Sequence, residues 1–328
     1  MTDIKIFNSA FDFVGVVDSV IECEFSEAYN EDSTFNMRVA YSEQNRKLFL
    51  ADSYICFGER LFIINNIRYT DKEISARGES MFALFKHVLI EEPRLFDGNP
   101  YEIVCEMAEM ASFTNLTYEV FGTVWNSSQN YNSVCSVNTS IYTEIKNVCN
   151  VYDFGFHIRF YPDEKRLVFQ IMPKQDRTWD TGITPYAVSD KQGVFEVCTV
   201  ESDTSNFKNY AHVPYGYIDD EYVYMNVDKR NNLYEDKRAM SVSVPGVLPS
   251  RVLNEALYYL GQLALSKRRK RGIFTVEMIK DVGASVGDVC DFESERDGYL
   301  CHALVKKIIR RESKGGIKDI LVLEKEDE

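Results

Sequence analysis

Phe62-Ile63-Ile64-Asn65-Asn66-Ile67-Arg68 runs through the polar turn Thr70-Asp71-Lys72-Glu73 into Ile74-Ser75-Ala76-Arg77-Gly78. An apolar run, a polar turn and an alternating run together read as a β-hairpin. Far down the chain, Ala303-Leu304-Val305-Lys306-Lys307-Ile308-Ile309 leads through Ser313-Lys314-Gly315-Gly316 into a strand from Ile317. Phe57-Gly58-Glu59 precedes the first unit and Val286-Gly287-Asp288 the second, so each reads Gly-acid, strand, turn, strand. Any two hairpins share part of this pattern. Read as a repeat, it predicts one chain carrying two related β-modules.

Outward from the first hairpin, Ile4 to Phe7 and Val14 to Phe25 read as strands, and Phe35-Asn36-Met37-Arg38-Val39 alternates with the period of a half-buried strand. From Met81 the period becomes helical, with Leu84, Phe85, Val88 and Leu89 on one face. Asn99, Pro100 and Glu102 form a capping-box start for a second helix carrying Ile103, Met107, Met110 and Ala111. A third begins near Ser140 with Ile141, Ile145, Val148, Cys149 and Tyr152. Phe156 to Phe160 and Leu167 to Ile171 alternate around the loop Pro162-Asp163-Glu164-Lys165. Phe195 to Glu201 is a further strand, and Tyr222 to Val227 and Met240 to Val244 are expected to pair with each other. A long helix over 250–269 buries Val252, Ala256, Tyr259, Leu260 and Leu263, and strands 274–278, 286–292, 299–311 and 317–324 follow. The fold class is α+β: two antiparallel β-barrel or sandwich modules, with helices and a β-hairpin region between them. The divisions are an N-terminal β-module with trailing helix over 1–90, an insertion over 91–190, and a second β-module region over 191–328.

The 45% apolar and 27% charged fractions are ordinary for a soluble globular chain, and 20 Tyr and 21 Phe favour strands. A net charge of −14 argues against coating nucleic acid or an anionic membrane. It suits a surface that DNA slides past, although solubility alone is the stronger reading of it. The eight cysteines include no C-x-x-C pair, and most lie in apolar stretches. Met1-Thr2-Asp3-Ile4-Lys5 opens no signal peptide, so reduced thiols made in a cytosol are expected. No stretch reaches the ~18 apolar residues of a membrane span.

Chemistry is hard to find. His87, His157, His212 and His302 show no two-ligand spacing, and no nucleophile elbow, Walker loop or dinucleotide fingerprint appears. His212, in the aromatic stretch Tyr210-Ala211-His212-Val213-Pro214, reads as a loop residue. Asp219-Asp220-Glu221 and Glu293-Ser294-Glu295-Arg296-Asp297 lack the register of a calcium loop. No catalytic, cofactor-binding or metal-binding residue is assigned. The basic run Lys267-Arg268-Arg269-Lys270-Arg271 suits a helix C-terminus, and Lys267, Arg268 and Arg269 are also candidates for contact with an acidic neighbour. Tyr215 and Tyr217, in a Tyr-rich stretch, are candidate interface anchors, with plain sheet packing as the simpler use.

The first 90 residues resemble siphovirus and prophage tail-hub proteins, relatives of the baseplate hub of contractile phages. The likeness is carried by Phe13-Val14-Gly15-Val16-Val17-Asp18, by Ile21-Glu22-Cys23-Glu24-Phe25, and by Tyr29 to Phe35, similar to that family's Tyr-x-x-x-Gly-x-Phe. Asp32-Ser33 stands where the family's glycine is expected. Phe62 to Gly78, the helix from Met81, Leu248 to Lys267 and Val286-Gly287-Asp288-Val289 extend it along the chain. The resemblance implies a non-enzymatic structural subunit without cofactor, acting as a homotrimer. Its ring continues the tail tube, below a tube or distal tail protein and above tip or fibre proteins. DNA meets it only in transit and no membrane is involved. The location is the virion tail tip, after synthesis in a bacterial cytoplasm. Rival readings are a receptor- or carbohydrate-binding module using the Tyr-rich stretch, a hub of a contractile tail or injection device, and a tail-associated cell-wall hydrolase or peptidase. The last needs an appended domain for which the chain leaves no length.

Overall fold

The computed structural model describes residues 4–50, 53–92, 94–121, 132–136, 138–179, 184–218, 221–230, 236–244, 248 and 250–326. The chain opens with β1 (Ile4–Phe7), β2 (Phe13–Val16), β3 (Val20–Ala28), β4 (Thr34–Ala40), α1 (Glu43–Leu48), β5 (Tyr54–Phe57), β6 (Arg60–Tyr69) and β7 (Glu73–Ser80). They lie in the order β3-β4-β7-β6-β5-β1-β2, all antiparallel. β4 alternates as its sequence does, with Phe35, Met37 and Val39 buried against Cys23 and Phe25. The expected strand from Val14 to Phe25 is broken, because the chain turns at Ser19 with φ 53°. The helix α1 was not foreseen. It is six residues long, too short to show a period, and is capped by Ser42 accepting from the Asn45 amide. Leu48 and Phe49 at its end fill the core. Met81–His87 is a 3-10 helix rather than an α-helix, burying Met81, Phe82, Ala83 and Phe85.

The middle of the chain holds β8 (Leu89–Ile90), β9 (Arg94–Gly98), α2 (Pro100–Glu109), β10 (Thr117–Phe121), β11 (Asn132–Ser136), β12 (Thr139–Ser140), α3 (Ile141–Tyr152), β13 (Gly155–Tyr161) and β14 (Arg166–Met172). Asn99 caps α2 as its sequence predicts, with the reciprocal Glu102 bond present. α2 and α3 pack on the sheet β10-β14-β13 around Ile103, Met107, Ile145, Val148, Phe156 and Phe169.

The rest comprises β15 (Gln175–Asp176), β16 (Ala187–Ser189), β17 (Phe195–Asp203), β18 (Tyr210–Ile218), β19 (Glu221–Asp228), β20 (Ala239–Ser241), α4 (Leu253–Ser266), β21 (Arg271–Met278), β22 (Asp288–Ser294), β23 (Tyr299–Ser313) and β24 (Gly316–Lys325). The expected pairing of Tyr222–Val227 with Met240–Val244 does not occur. β18 lies between, antiparallel to β19 and parallel to β20. Pro214 and Gly216 made β18 look like a loop, and the strand absorbs them at a bulge. His212 is therefore a strand residue. Asp219, Asp220, Asn231 and Asn232 lie outside the described residues. The long helix is shorter than expected, since α4 follows a 3-10 turn at Ser250–Val252 and ends at Ser266. It is packed by β18 and β19, by β11 and by α3, so Leu253, Leu257 and Leu265 are buried besides Ala256 and Tyr259.

The fold is thus mainly antiparallel β with four α-helices among the described residues. Its largest sheet has 14 strands and contains an internal repeat. In the first unit the order is β3-β4-β7-β6-β5, and in the second it is β17-β21-β24-β23-β22, with the same connectivity. The registers agree residue by residue. Phe25 faces Phe35, which faces Gly78, which faces Ile64; Val200 faces Phe274, which faces Leu323, which faces Val305. Bulges recur at matching places: between Val20 and Glu22 as between Phe195 and Val197, and between Ile64 and Asn66 as between Val305 and Lys307. The pairing of Phe62–Arg68 with Ala303–Ile309 read from the sequence is therefore the structural one. The Gly-acid part of the pattern is not: Gly58-Glu59 is the turn between β5 and β6, whereas Gly287 precedes and Asp288 opens β22, the counterpart of β5.

Candidate assembly interface

The two units are joined inside the chain by one edge-to-edge pairing. β23 is 15 residues long. Its first part pairs with β22, and Lys307 to Ser313 pair antiparallel with β3, from Ala28 back to Glu22. Arg311 and Glu24, directly opposite, form an ion pair, and Arg310 is held by Asp319 at 2.7 Å. The ladder continues where the Tyr29 amide donates to the Lys306 carbonyl at 2.8 Å. Tyr29 is buried beneath the joint with Val286 and Leu304. A strand edge is a row of unpaired donors and acceptors, and this joint covers the edge of β3.

The repeat places the counterparts of that joint on two surfaces. β17 is the counterpart of β3, and on the side away from β21 it pairs with no strand among the described residues. The counterpart of Lys307–Ile309 is Asn66–Arg68, continued by Tyr69, on β6. Beyond Ile63, where β5 ends its pairing, that edge of β6 is likewise without a strand. Val197 is 50% exposed, and Arg68 and Glu201 are exposed on the outward faces of their strands.

The candidates read from the sequence are scattered over the fold. Tyr215 points toward α4, where its hydroxyl donates to the Leu248 carbonyl at 3.4 Å and accepts from the Leu248 amide at 3.2 Å. Tyr217, 76% exposed, lies on the opposite face of that sheet, which the bulge between Pro214 and Gly216 turns it toward. It begins a ladder of rings through Tyr222 and Tyr224 to His212, with centroids 5.2, 5.9 and 5.4 Å apart. Lys267 and Arg268 are exposed after α4. Arg269 is engaged with the buried Glu324 at 2.9 Å, and Lys306 reaches the same carboxylate at 3.4 Å. The two strand edges were not singled out from the sequence. Their signal was the repeat itself, which needed the correct alignment of β5 with β22 to point at them.

Among the described residues no group of three or more His, Cys, Asp or Glu side chains is placed to hold a metal ion. His302 Nδ1 lies 2.9 Å from Asp291. Burial pushes the thiols of Cys23, Cys56 and Cys290 up to about 12, so these are inert, protonated core side chains. Burial also raises the carboxyl of Asp288, which accepts from the Tyr186 hydroxyl at 3.1 Å and the Ser285 amide at 3.0 Å. No helix among the described residues is long and apolar enough to cross a membrane.

No protein-family model matches the chain, and no curated protein matches it by sequence. Solved structures do match. The structure of prophage tail protein gp18 from Listeria monocytogenes superposes with a TM-score of 0.58 at 13% identity, over 98% of this chain and 94% of that one. The fold is that of a prophage tail protein. A tail protein from Neisseria meningitidis gives 0.61 at 10% identity, over 99% and 96% of the two chains. The 43 kDa tail protein of prophage MuSo2 from Shewanella oneidensis gives 0.61 at 10%, over 98% of each. These likenesses span almost the whole of both chains.

Proposed function

We propose that this chain is a structural hub subunit of a phage-type tail tip or baseplate, assembled as a ring that continues the tail tube and carries tip or fibre proteins. The observation that carries this reading is the five-stranded unit occurring twice in one chain with the same order, connectivity and register. The two units serve as related barrel-like modules of a tube wall. A homotrimer then offers six similar modules to a tube of sixfold character, and the chain works by shape and association rather than by reaction. A tube or distal tail protein sits on one side of the ring and tip or fibre proteins on the other, at the end of the virion tail. The net charge of −14 suits a lumen through which DNA slides. Native mass measurement and electron microscopy of the purified chain, alone and with its neighbouring tail proteins, test the proposal. Ring-shaped trimers are expected, and a monomer under both conditions refutes it.

The exposed ladder of Tyr217, Tyr222, Tyr224 and His212 supports a second reading, in which the same subunit also binds a surface carbohydrate. Aromatic faces of this kind stack on sugar rings. Glycan-array binding lost in Tyr217→Ala favours this reading, and an array without signal removes it.

A further inference from the structure

We infer that neighbouring copies of this chain join by repeating its internal joint, β17 of one copy pairing antiparallel with the open edge of β6 in the next. This rests on the ring reading above and names the surfaces that close the ring. Inside the chain, strand one of the first unit (β3) lies on strand four of the second (β23). The complementary contact, strand one of the second unit on strand four of the first, has both of its halves unpaired by any strand among the described residues, the Ile64 amide alone reaching the Ser53 carbonyl on the β6 side. No single chain can make it, because the units are already fixed to each other by the β3–β23 joint. A second copy supplies the missing half, and such head-to-tail contacts close into a ring when the rotation per subunit allows.

Transferring the register of the internal joint through the repeat fixes the new pairing. Ile308 faces Glu27, Ile309 faces Ser26 and Arg310 faces Phe25. Their counterparts are Ile67 and Ser202, Arg68 and Glu201, and Tyr69 and Val200. Asn66 then meets Asp203 and Thr70 meets Thr199. The side chains that this register brings together are complementary. Arg68 lies directly opposite Glu201 on the outward face, Tyr69 opposite Val200 on the core face, and no position sets like charges together. A slip of one residue would turn Arg68 toward the wrong face of its partner, so the register is specified. Among the described residues, neither Arg68 nor Glu201 has a salt-bridge partner within its own chain.

Charge reversal in the full-length chain tests the pairing by sedimentation over a concentration series. Arg68→Glu and Glu201→Arg are each expected to raise the concentration at half-assembly by about tenfold, and the double variant to return it toward the parent. Separately, Arg68→Cys with Glu201→Cys is expected to give chains linked by disulfides under mild oxidation, since directly opposed strand residues lie within disulfide reach. The single-cysteine variants, and the offset pair Arg68→Cys with Val200→Cys, are expected to remain unlinked. An assembled ring without the specific cross-link, or without rescue in the double reversal, overturns the β17–β6 pairing while leaving the hub reading standing. A chain that stays monomeric beside its tail neighbours overturns both.

Discussion

The ring of Tyr29 occupies the place where a β-carbon on Gly155 would sit: an ideal Cβ there falls 2.3 Å from Tyr29 Cε2. The ring also closes on Gly287, whose Cβ would lie 2.8 Å from the same atom. Tyr29 follows β3 directly, Gly155 opens β13 and Gly287 precedes β22, so one side chain fastens the first unit, the insertion and the second unit together. Gly155→Ala is expected to destabilise the chain by about 1–3 kcal/mol through overpacking. Gly287→Ala is expected to cost more, because Gly287 also holds φ at +89°. Urea midpoints of the two variants check both, and a midpoint unchanged in Gly155→Ala would contradict the packing described.

The basic run after α4 separates into working and idle charges. Arg269→Ala leaves the buried Glu324 with Lys306 as its remaining cation, and is expected to cost about 1–3 kcal/mol. Lys267→Ala and Arg268→Ala change exposed positions, and are expected to stay within about 0.5 kcal/mol of the parent. Denaturant titration of the three variants compares them directly. Equal losses at all three would mean that the helix dipole, not the Glu324 contact, sets their value.

His157 gives stability a pH dependence. Burial, assisted by the Arg159 charge, lowers its pKa from the ordinary 6.5, although Nε2 lies 3.0 Å from Gln170 Oε1. The unfolded chain therefore takes up this proton at a higher pH than the folded chain does. The contribution of His157 is fully present above about 6.5 and is lost as pH falls through the lowered folded value. The unfolding free energy of the parent is expected to fall between pH 7.5 and pH 5.5 by more than that of His157→Gln. Parallel slopes in the two proteins would contradict the assignment.

The cap of α2 is a local prediction. Asn99 accepts from the amides of Tyr101 and Glu102 at 3.0 Å each. Asn99→Ala is expected to cost about 1 kcal/mol, and Asn99→Ser much less. Thermal unfolding monitored by circular dichroism checks the pair.

What could be read from the residues was what neighbours in sequence decide. The α2 start was legible because Asn99, Pro100 and Glu102 act within one turn. The strands of β4 and β21 were legible because each has one buried face, so burial prints an alternating pattern. The failures share a cause as well. β18 was hidden because Pro214 and Gly216 are tolerated only where a bulge and an uncrowded backbone allow them, with nothing within 4 Å of a β-carbon on Gly216. α1 was hidden because six residues cannot display a helical period.

The sequence by itself determined the α+β class, most of the strands and helices, and the equivalence of Phe62–Arg68 with Ala303–Ile309, since alternation, capping and turn chemistry act over a few residues. Only the tertiary structure decided that β18 separates β19 from β20, that β3 lies along β23, and that β17 and the far part of β6 have an edge paired with no strand among the described residues. Strand neighbours are chosen by hydrogen bonds between segments distant in the chain, and the edge of a strand carries no side chain to announce its partner.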